Sequence, residues 1–299
     1  MKFYKYQGTG NDFIMIDNRD NSFSKEQKKD KDFIEKLCHR RFGIGADGLI
    51  LIENPEKSSE GKSLEGDFVM VYFNSDGNTS SMCGNGGRCA VAFAYRLGVF
   101  EGKETTFMAF DGLHFAKVTS VENQEKEIIT EVELQMGDVS KVETNLHSNF
   151  ETNQSAYFLD TGSPHYVGFL NEEKATTDLE NYDVVEEGKK VRYNERFKKE
   201  GTNVNFVASN ANNSEKNSIF VRTYERGVED ETLSCGTGVT ACAIAYALHN
   251  PNLNANLVNI QTLGGNLKVR FDYSTQNSEH NFTNIFLIGA ATAVFEGEI

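Results

Sequence analysis

Two cysteines in this sequence open the same short phrase, and the phrase suits proton transfer at carbon. Cys83-Gly84-Asn85-Gly86 returns as Cys235-Gly236-Thr237-Gly238, 152 positions later in a chain of 299 residues. Each phrase stands where a helical pattern begins. The first N–H groups of a helix lack internal partners and carry partial positive charge. Glycines there let an anion approach the amides, and a thiol at such a terminus titrates at roughly pH 3.5–7.5. One such terminus binds a carboxylate beside a thiol base. A converging pair gives a carboxylate cradle with a base on one side and an acid on the other. That arrangement fits inversion at the α-carbon of an amino acid, where a proton leaves one face and returns to the opposite one. Amides that grip the charge developing on the carboxylate lower the barrier, and each positioned acid or base contributes roughly 10²–10⁴-fold. A single cysteine is more often a small buried hydrophobe. Two in the same setting favour function.

The register of the repeat extends beyond the cysteines. At the same offset Phe68, Val69 and Tyr72 match Phe220, Val221 and Tyr224, Thr9-Gly10 matches Thr161-Gly162, and Gly112 matches Gly264. The chain therefore reads as two related halves. Short apolar runs at 13–16, 49–52 and 67–73 read as strands, with turn chemistry at 74–78 and a surface loop over 54–67. From 83 to 97 the pattern is helical; Ala90, Val91, Ala94 and Leu97 share a face, Phe93 is apolar too, and Gly98 supplies the stop. In the second half a strand at 218–224 and a polar loop lead to a helix from 235 to 248, ended before Pro251. Residues 210–217 read as a hairpin loop and 249–256 as another. Alternation over 106–118, 128–134, 257–271 and 284–294 adds strands. The expected fold is α+β: two pseudo-symmetric domains, each a mostly antiparallel sheet or barrel-like set of strands around one central helix.

Bulk properties exclude several classes. Hydrophobic residues make up 38% and charged residues 25%, as in a soluble globular protein, and the length fits two domains. No apolar run approaches the ~18 residues of a membrane span, and the first residues lack the apolar core of a secretion signal, so a cytoplasmic location is expected. Five cysteines without close CxxC spacing argue against a disulfide framework and a zinc ribbon. A net charge of −14 argues against nucleic acid and anionic membranes as partners. Gly43-x-Gly45-x-x-Gly48 fits a dinucleotide fingerprint literally, but a strand follows it, so it is rejected.

Taken together, the motifs resemble the diaminopimelate epimerase family across essentially the whole chain. They are 8–13 (Gly-Thr-Gly-Asn-Asp-Phe), 43–48 (Gly-Ile-Gly-Ala-Asp-Gly), 73–77 (Phe-Asn-Ser-Asp-Gly) and 82–89 (Met-Cys-Gly-Asn-Gly-Gly-Arg-Cys). Further along come 162–165 (Gly-Ser-Pro-His), 201–206 (Gly-Thr-Asn-Val-Asn-Phe), 225–227 (Glu-Arg-Gly) and 234–238 (Ser-Cys-Gly-Thr-Gly). The resemblance implies that Cys83 and Cys235 are the acid/base pair. It implies that Gly84, Asn85, Gly236 and Thr237 hold the reacting carboxylate, that Asn11, Asn74, Asn203 and Arg226 bind polar groups of the substrate, and that Glu225 binds an ammonium. It implies a homodimer that uses neither pyridoxal phosphate nor metal, and a last strand that returns to the first domain. The domains are then 1–127 plus 288–299, carrying Cys83, and 128–287, carrying Cys235. Gly48 stands where some members have a substrate-contacting Gln, and Ser163 where many have Asn. Both join His165 as further site candidates.

The supporting residues also have readings of their own. Arg226 has the planar fork that suits a carboxylate, whereas an adjacent Glu-Arg is ordinarily a solvated surface pair. Its place just past a strand and before the cysteine loop favours the site. Asn11, Asn74 and Asn203 offer donors and an acceptor to a zwitterion or serve as turn formers. His165 either orients a substrate group or Cys83, or is a satisfied structural histidine. Arg88 reads as a structural ion-pair partner, and Asp12 and Asp47 as loop organisers. Cys89 and Cys242 sit inside the helices as packing. Two alternatives remain: a proline or hydroxyproline racemase, which shares the paired-cysteine plan, and a redox-sensing or ligand-binding protein.

Overall fold

The computed structural model describes residues 1–55, 66–80, 82–124, 127–146, 153–170, 179, 181–209, 217–253, 255–276 and 279–299. The loops expected over 54–67 and 210–217 fall largely outside them. Two compact units emerge, residues 1–135 with 289–299, and residues 136–288.

The first unit is built from β1 (Lys2–Gly8), β2 (Asn11–Asp17), β3 (Gly48–Glu53), β4 (Phe68–Asn74), β5 (Glu104–Ala109), β6 (Gly112–Gln124) and β7 (Glu127–Gln135), hydrogen-bonded in that order. The later part of the final strand pairs with both β7 and β1, Ala290 opposite Glu131 and Tyr6 opposite Ala293. That closes eight strands into a barrel. A boundary at 127/128 would split the β6–β7 hairpin, in which Ala116 faces Leu134 and Val118 faces Val132. Residues 128–135 therefore stay with the first unit.

Two pairings in this barrel, β2–β3 and β4–β5, are parallel. Parallel neighbours need a crossover connection. α1 (Lys31–Cys38) lies in the first crossover and α2 (Gly84–Arg96) in the second. Residues 84–94 of α2 are all buried, and the helix packs on β1, β2, β3, β4, β6 and β7. A helix of mostly apolar and small residues is suited to such enclosure, with buried Asn85 and Arg88 as its polar exceptions.

In the second unit β8 (Val142–Leu146), β9 (Asn153–Asp160), β10 (Pro164–Leu170), β11 (Asn203–Ser209), β12 (Ser218–Glu225), β13 (Asp230–Thr232), β14 (Leu257–Thr262) and β15 (Gly265–Gln276) precede β16 (Glu279–Glu298), with α3 (Val184–Arg192) and α4 (Gly236–His249) between them. The sequence of pairings repeats the first unit: β9–β10 antiparallel, β10–β11 parallel, β11–β12 antiparallel, β12–β14 parallel, β14–β15 antiparallel. An isolated bridge joins Val139, ahead of β8, to Phe282. The pseudo-symmetric α+β reading thus holds at the level of strand direction.

Several elements differ from the sequence reading, which did not name β1, β8, β9, β10, β11 or β13 as strands. Each unit has a second helix, α1 or α3, that periodicity did not reveal. In α3 only Val184, Gly188 and Val191 are buried, and the mid-helix glycine lowers helix propensity. Its lack of a side chain has a packing cause, since a Cβ there would stand 2.5 Å from Tyr224 Cβ. Finally, the left-handed turn glycines are Gly112 (φ 124°) and Gly265 (φ 134°), so the hairpin match is displaced by one residue from Gly264. Among the described residues no helix is long and apolar enough to cross a membrane.

Candidate active site

In the first unit, register gathers the expected residues at one end of the barrel. Phe13 pairs with Gly48, and Gly48 with Asn74, so the starts of β2 and β3 and the end of β4 are neighbours. Thr9 Oγ1 donates to Asn85 Oδ1 (3.3 Å), which brings the start of α2 to the same end. Cys83 is the N-cap of α2, half-buried, with extended backbone, and its Sγ accepts the Gly86 N–H at 3.2 Å. Just before it, Met82 N–H donates to Asp111 Oδ1 (3.0 Å) in the β5–β6 turn. The Asn85 side chain is taken up internally, accepting also from Arg88 Nη2 (3.1 Å).

Asn11 is oriented by Asp47, its Nδ2 donating to Oδ2 at 2.7 Å. Asp47 is in turn paired with Arg40 Nη2 (2.6 Å), which also grips Asp12 in company with Lys5 (2.7 Å to each). Burial pushes the Asp12 carboxyl upward, but Arg40 and Lys5 prevail and hold it well below the usual carboxylate range. Asp12 and Asp47 therefore organise this loop. Asn74 begins a tight turn, accepting the Gly77 N–H at 2.9 Å through its carbonyl. At Gly48 a Cβ would stand 2.6 Å from both the Phe73 carbonyl oxygen and the Tyr72 ring, so this backbone excludes a side chain there.

The second unit gathers its own set. Thr161 Oγ1 donates to the Thr237 carbonyl (2.9 Å), the counterpart of the Thr9–Asn85 link. Cys235 is the buried N-cap of α4, with no side-chain capping bond. Gly264 N–H donates to the Leu233 carbonyl (2.9 Å), so a hairpin braces this cysteine loop also. His165 pairs with Asn203 and Val204 with Tyr224, placing Asn203 next to Glu225 and Arg226. Asn203 Oδ1 accepts the Arg226 N–H (2.9 Å), while its Nδ2 donates to the Pro164 carbonyl (3.0 Å) and Ser163 Oγ (3.2 Å). Its amide orients neighbours. Thr232 Oγ1 donates to Glu225 Oε2 (2.9 Å), and Arg226 Nη1 to the Glu200 carbonyl (3.1 Å).

His165 is fully buried at the centre of a directed chain of hydrogen bonds. Asn205 Nδ2 donates to the Tyr166 carbonyl (3.0 Å), which can only accept, and its other hydrogen faces His165 Nδ1 (3.1 Å). Thr223 Oγ1 donates to Asn205 Oδ1 (2.9 Å) and fixes that amide. The ring proton therefore sits on Nε2, facing Thr237 Oγ1 (2.9 Å) and Ser163 Oγ (3.0 Å). Thr237 Oγ1 lies 3.1 Å from Ser163 Oγ and 3.5 Å from Cys235 Sγ, so its own proton can be given to either. Burial, and secondarily Arg226, lower the ring to about 3. At neutral pH His165 is thus a neutral donor.

Arg88, Asn205 and Thr223 carry more of this geometry than the sequence reading assigned them. Arg88 forms no ion pair within 4 Å among the described residues; its partners are Gly84 O (3.2 Å), Thr9 Oγ1 (3.2 Å) and Asn85. Asn205 lies two residues from Asn203 on one strand, hence on the same face, and both Asn205 and Thr223 are buried polar positions flanked by apolar ones. A polar residue at an inward strand position was the available signal.

The fold is that of a solved two-domain group. A phenazine biosynthesis protein of the PhzF family from Bacillus anthracis superposes with a TM-score of 0.65 at 13% identity, over 100% of this chain and 98% of that one. Sequence comparison narrows this. The chain belongs to the diaminopimelate epimerase family, whose model matches residues 3–142 and 157–294. A diaminopimelate epimerase of Flavobacterium psychrophilum is 50% identical over 100% of both chains, and one of Aquifex aeolicus is 41% identical over 100% of this chain and 98% of the other. The chain is an isomerase of the epimerase type.

Proposed function

We propose that this protein epimerises LL-diaminopimelate to the meso form, a step towards lysine and peptidoglycan precursors, by a two-base reaction without cofactor. The observation that carries the reading is a cysteine N-cap at the glycine-flanked start of the enclosed helix in each unit. In the proposed reaction one cysteine, as thiolate, takes the Cα proton and becomes a thiol. The electron pair left on carbon is delocalised into the carboxylate. The other thiol returns its own proton to the opposite face and becomes the thiolate, so the roles exchange with direction. The N–H groups of Gly84, Asn85, Gly236 and Thr237 are the proposed grip on the carboxylate, an oxyanion-type stabilisation. Asn11, Asn74 and Arg226 would read the distal end, Glu225 an ammonium, and Asn203, Ser163 and His165 would hold these groups in place. Gly48 contributes backbone alone. A homodimer and a cytoplasmic setting complete the proposal.

The test is an assay of purified protein with LL-diaminopimelate in deuterium oxide. Deuterium at the α-carbon together with formation of the meso isomer is expected. Turnover of proline or hydroxyproline alone would shift the assignment to a racemase. Reduced protein that exchanges no α-proton would favour a redox or ligand-binding role.

A further inference from the structure

We propose that Glu229 is a positioning residue for substrate recognition: its carboxylate clamps the turn that presents Glu225 and Arg226, and so sets how tightly diaminopimelate is held. The inference rests on the reading of Glu225 and Arg226 as substrate-binding groups and adds what fixes them in place.

β12 ends at Glu225 and β13 begins at Asp230, and these two residues pair across the ladder. Arg226 to Glu229 therefore form a tight connection, which the Glu229 N–H closes by donating to the Glu225 carbonyl at 2.8 Å. Two of its residues are left-handed, Gly227 at φ 94° and Glu229 at φ 58°. Glycine enters that region freely. A residue with a side chain does so seldom, and stays there only where its surroundings over-determine it. Glu229 meets that condition through four hydrogen bonds to its carboxylate. Oε1 accepts from the Gly227 N–H and from Arg192 Nη2, each at 3.2 Å, and Oε2 accepts from the hydroxyls of Tyr193 (2.7 Å) and Tyr224 (3.0 Å). Arg192 closes α3, Tyr193 caps it, and Tyr224 lies on β12. One side chain thus ties the turn both to itself and to the helix packed on its sheet.

Both candidate binding residues hang on this clamp. Glu225 is held through its carbonyl, and its carboxylate accepts from Thr232 Oγ1 on β13 (2.9 Å). Arg226 stands directly before Gly227, whose N–H the Glu229 carboxylate accepts. Its own N–H donates to Asn203 Oδ1 (2.9 Å) and its Nη1 to the Glu200 carbonyl (3.1 Å). Gly201, at φ 78°, makes room for that reach: a Cβ there would stand 2.7 Å from Arg226 Cδ and 2.8 Å from Arg192 Cζ. The guanidinium that Glu229 binds and the stem of Arg226 thus border the same glycine, so displacing Glu229 reaches Arg226 through packing as well as through the backbone. Burial works against the Glu229 charge, but the bonds from Tyr193, Gly227 and Tyr224 and the charge of Arg192 prevail and hold its carboxyl below the ordinary value. A misplacement of about 1 Å made far from the chemistry can cost roughly 10²-fold, so a loosened turn is felt in binding.

The experiment combines steady-state kinetics on LL-diaminopimelate with melting temperatures, using reduced full-length protein. Glu229→Ala removes all four bonds, and its KM should rise about tenfold or more while kcat changes by less than about threefold. Glu229→Gln should recover most of the loss, because its carbonyl can accept from Gly227 and Arg192 and its amide can donate to the two tyrosine oxygens. A merely structural glutamate would lower the melting temperature and the active fraction in Glu229→Ala, which reduces kcat and leaves KM unchanged; that result overturns the inference. Equal rises in KM for the Ala and Gln variants would assign the effect to charge and not to the four bonds, and overturn it too. If Glu229→Ala does not fold, Glu229→Asp, which draws the carboxylate back by one methylene, decides: an unchanged KM overturns the inference. Unaltered protein that fails to turn over LL-diaminopimelate overturns the epimerase reading as well, whereas active unaltered protein with an indifferent variant overturns this inference alone.

Discussion

The starts of α2 and α4 are two copies of one backbone device finished with different chemistry. In each, the side chain five residues after the cysteine bonds the first carbonyl of the helix, Arg88 to Gly84 and Thr240 to Gly236. In each, a threonine from the preceding strand pair reaches the second helical residue, Thr9 to Asn85 and Thr161 to Thr237. The electrostatics then part. The first unit holds a buried guanidinium bonded to Gly84, Thr9 and Asn85, whereas the second holds a neutral chain from Thr223 through Asn205, His165 and Thr237. Duplication has preserved where the amides stand and has left the side chains behind them free to specialise.

The severest way to break the comparison is to delete each sulfur. Cys83→Ala and Cys235→Ala are each expected to lose about 10²–10⁴-fold in epimerisation rate while keeping the fold, measured by meso-product formation beside circular dichroism. Near-normal turnover in either variant would dissolve the equivalence of the two positions. Next in size is a contrast between matched glycines. A methyl at Gly238 would stand 2.6 Å from Asn205 Oδ1, an atom pinned by Thr223, whereas at Gly86 it would meet Cys83 Sγ at 3.1 Å and the movable ends of Ile50 and Met70 at 3.3 and 3.4 Å. Gly238→Ala is therefore expected to cost about 1–3 kcal/mol in denaturant unfolding, and Gly86→Ala clearly less. Equal losses would mean that the Asn205 anchor is no more rigid than its counterpart.

What the sequence displayed, and what it concealed, follows from how each feature is encoded. The enclosed helices were legible because apolar residues on nearly every side leave one interpretation, and the cysteine phrases because a repeated register is visible without structure. α1 carries apolar residues at helical spacing, Ile34, Leu37 and Cys38, but over only eight residues, too short a stretch for the period to stand out, and in α3 Gly188 interrupts the pattern for the sake of Tyr224. Asn203 was visible in the sequence only as a polar residue within a motif, and Asn205 was not singled out; which neighbours they orient is decided by pairing between β10, β11 and β12, which periodicity does not carry. Arg88 was misjudged for a related reason. An arginine in a helix ordinarily finds a carboxylate, and only the packed barrel shows backbone, Thr9 and Asn85 in its place.

A pH dependence sharpens the contrast further, since the second unit holds a fully buried histidine behind its cysteine loop. His165 titrates at about 3 in the folded protein against 6.5 for an unperturbed ring, because burial and then Arg226 disfavour its charged form. Between those values the unfolded chain binds the extra proton. The stabilisation is complete above about pH 6.5 and is lost as pH falls towards 3, with a slope of at most about 1.4 kcal/mol per pH unit. His165→Gln should flatten the fall in unfolding free energy between pH 7 and pH 5. An unchanged slope would show that the ring is protonated in the folded state as readily as in the unfolded one.

The smallest expected effect concerns the far end of the relay. Thr223→Val removes the hydroxyl that donates to Asn205 Oδ1 and leaves its shape. The amide then has an unmet acceptor, at a cost of about 1 kcal/mol. It is also less firmly held in the orientation that directs Nδ2 at His165. Loosening that amide admits the other ring tautomer, in which Nε2 accepts from Thr237 and the hydroxyl proton turns away from Cys235. The pH midpoint for iodoacetamide alkylation of Cys235, followed by peptide mass spectrometry, should therefore rise, by about half a pH unit given that a neutral donor is weaker than a charge, while the Cys83 midpoint stays where it was. A shift shared by both cysteines would mean that Thr223 acts through general stability, and the relay would then have no separate hold on the second sulfur.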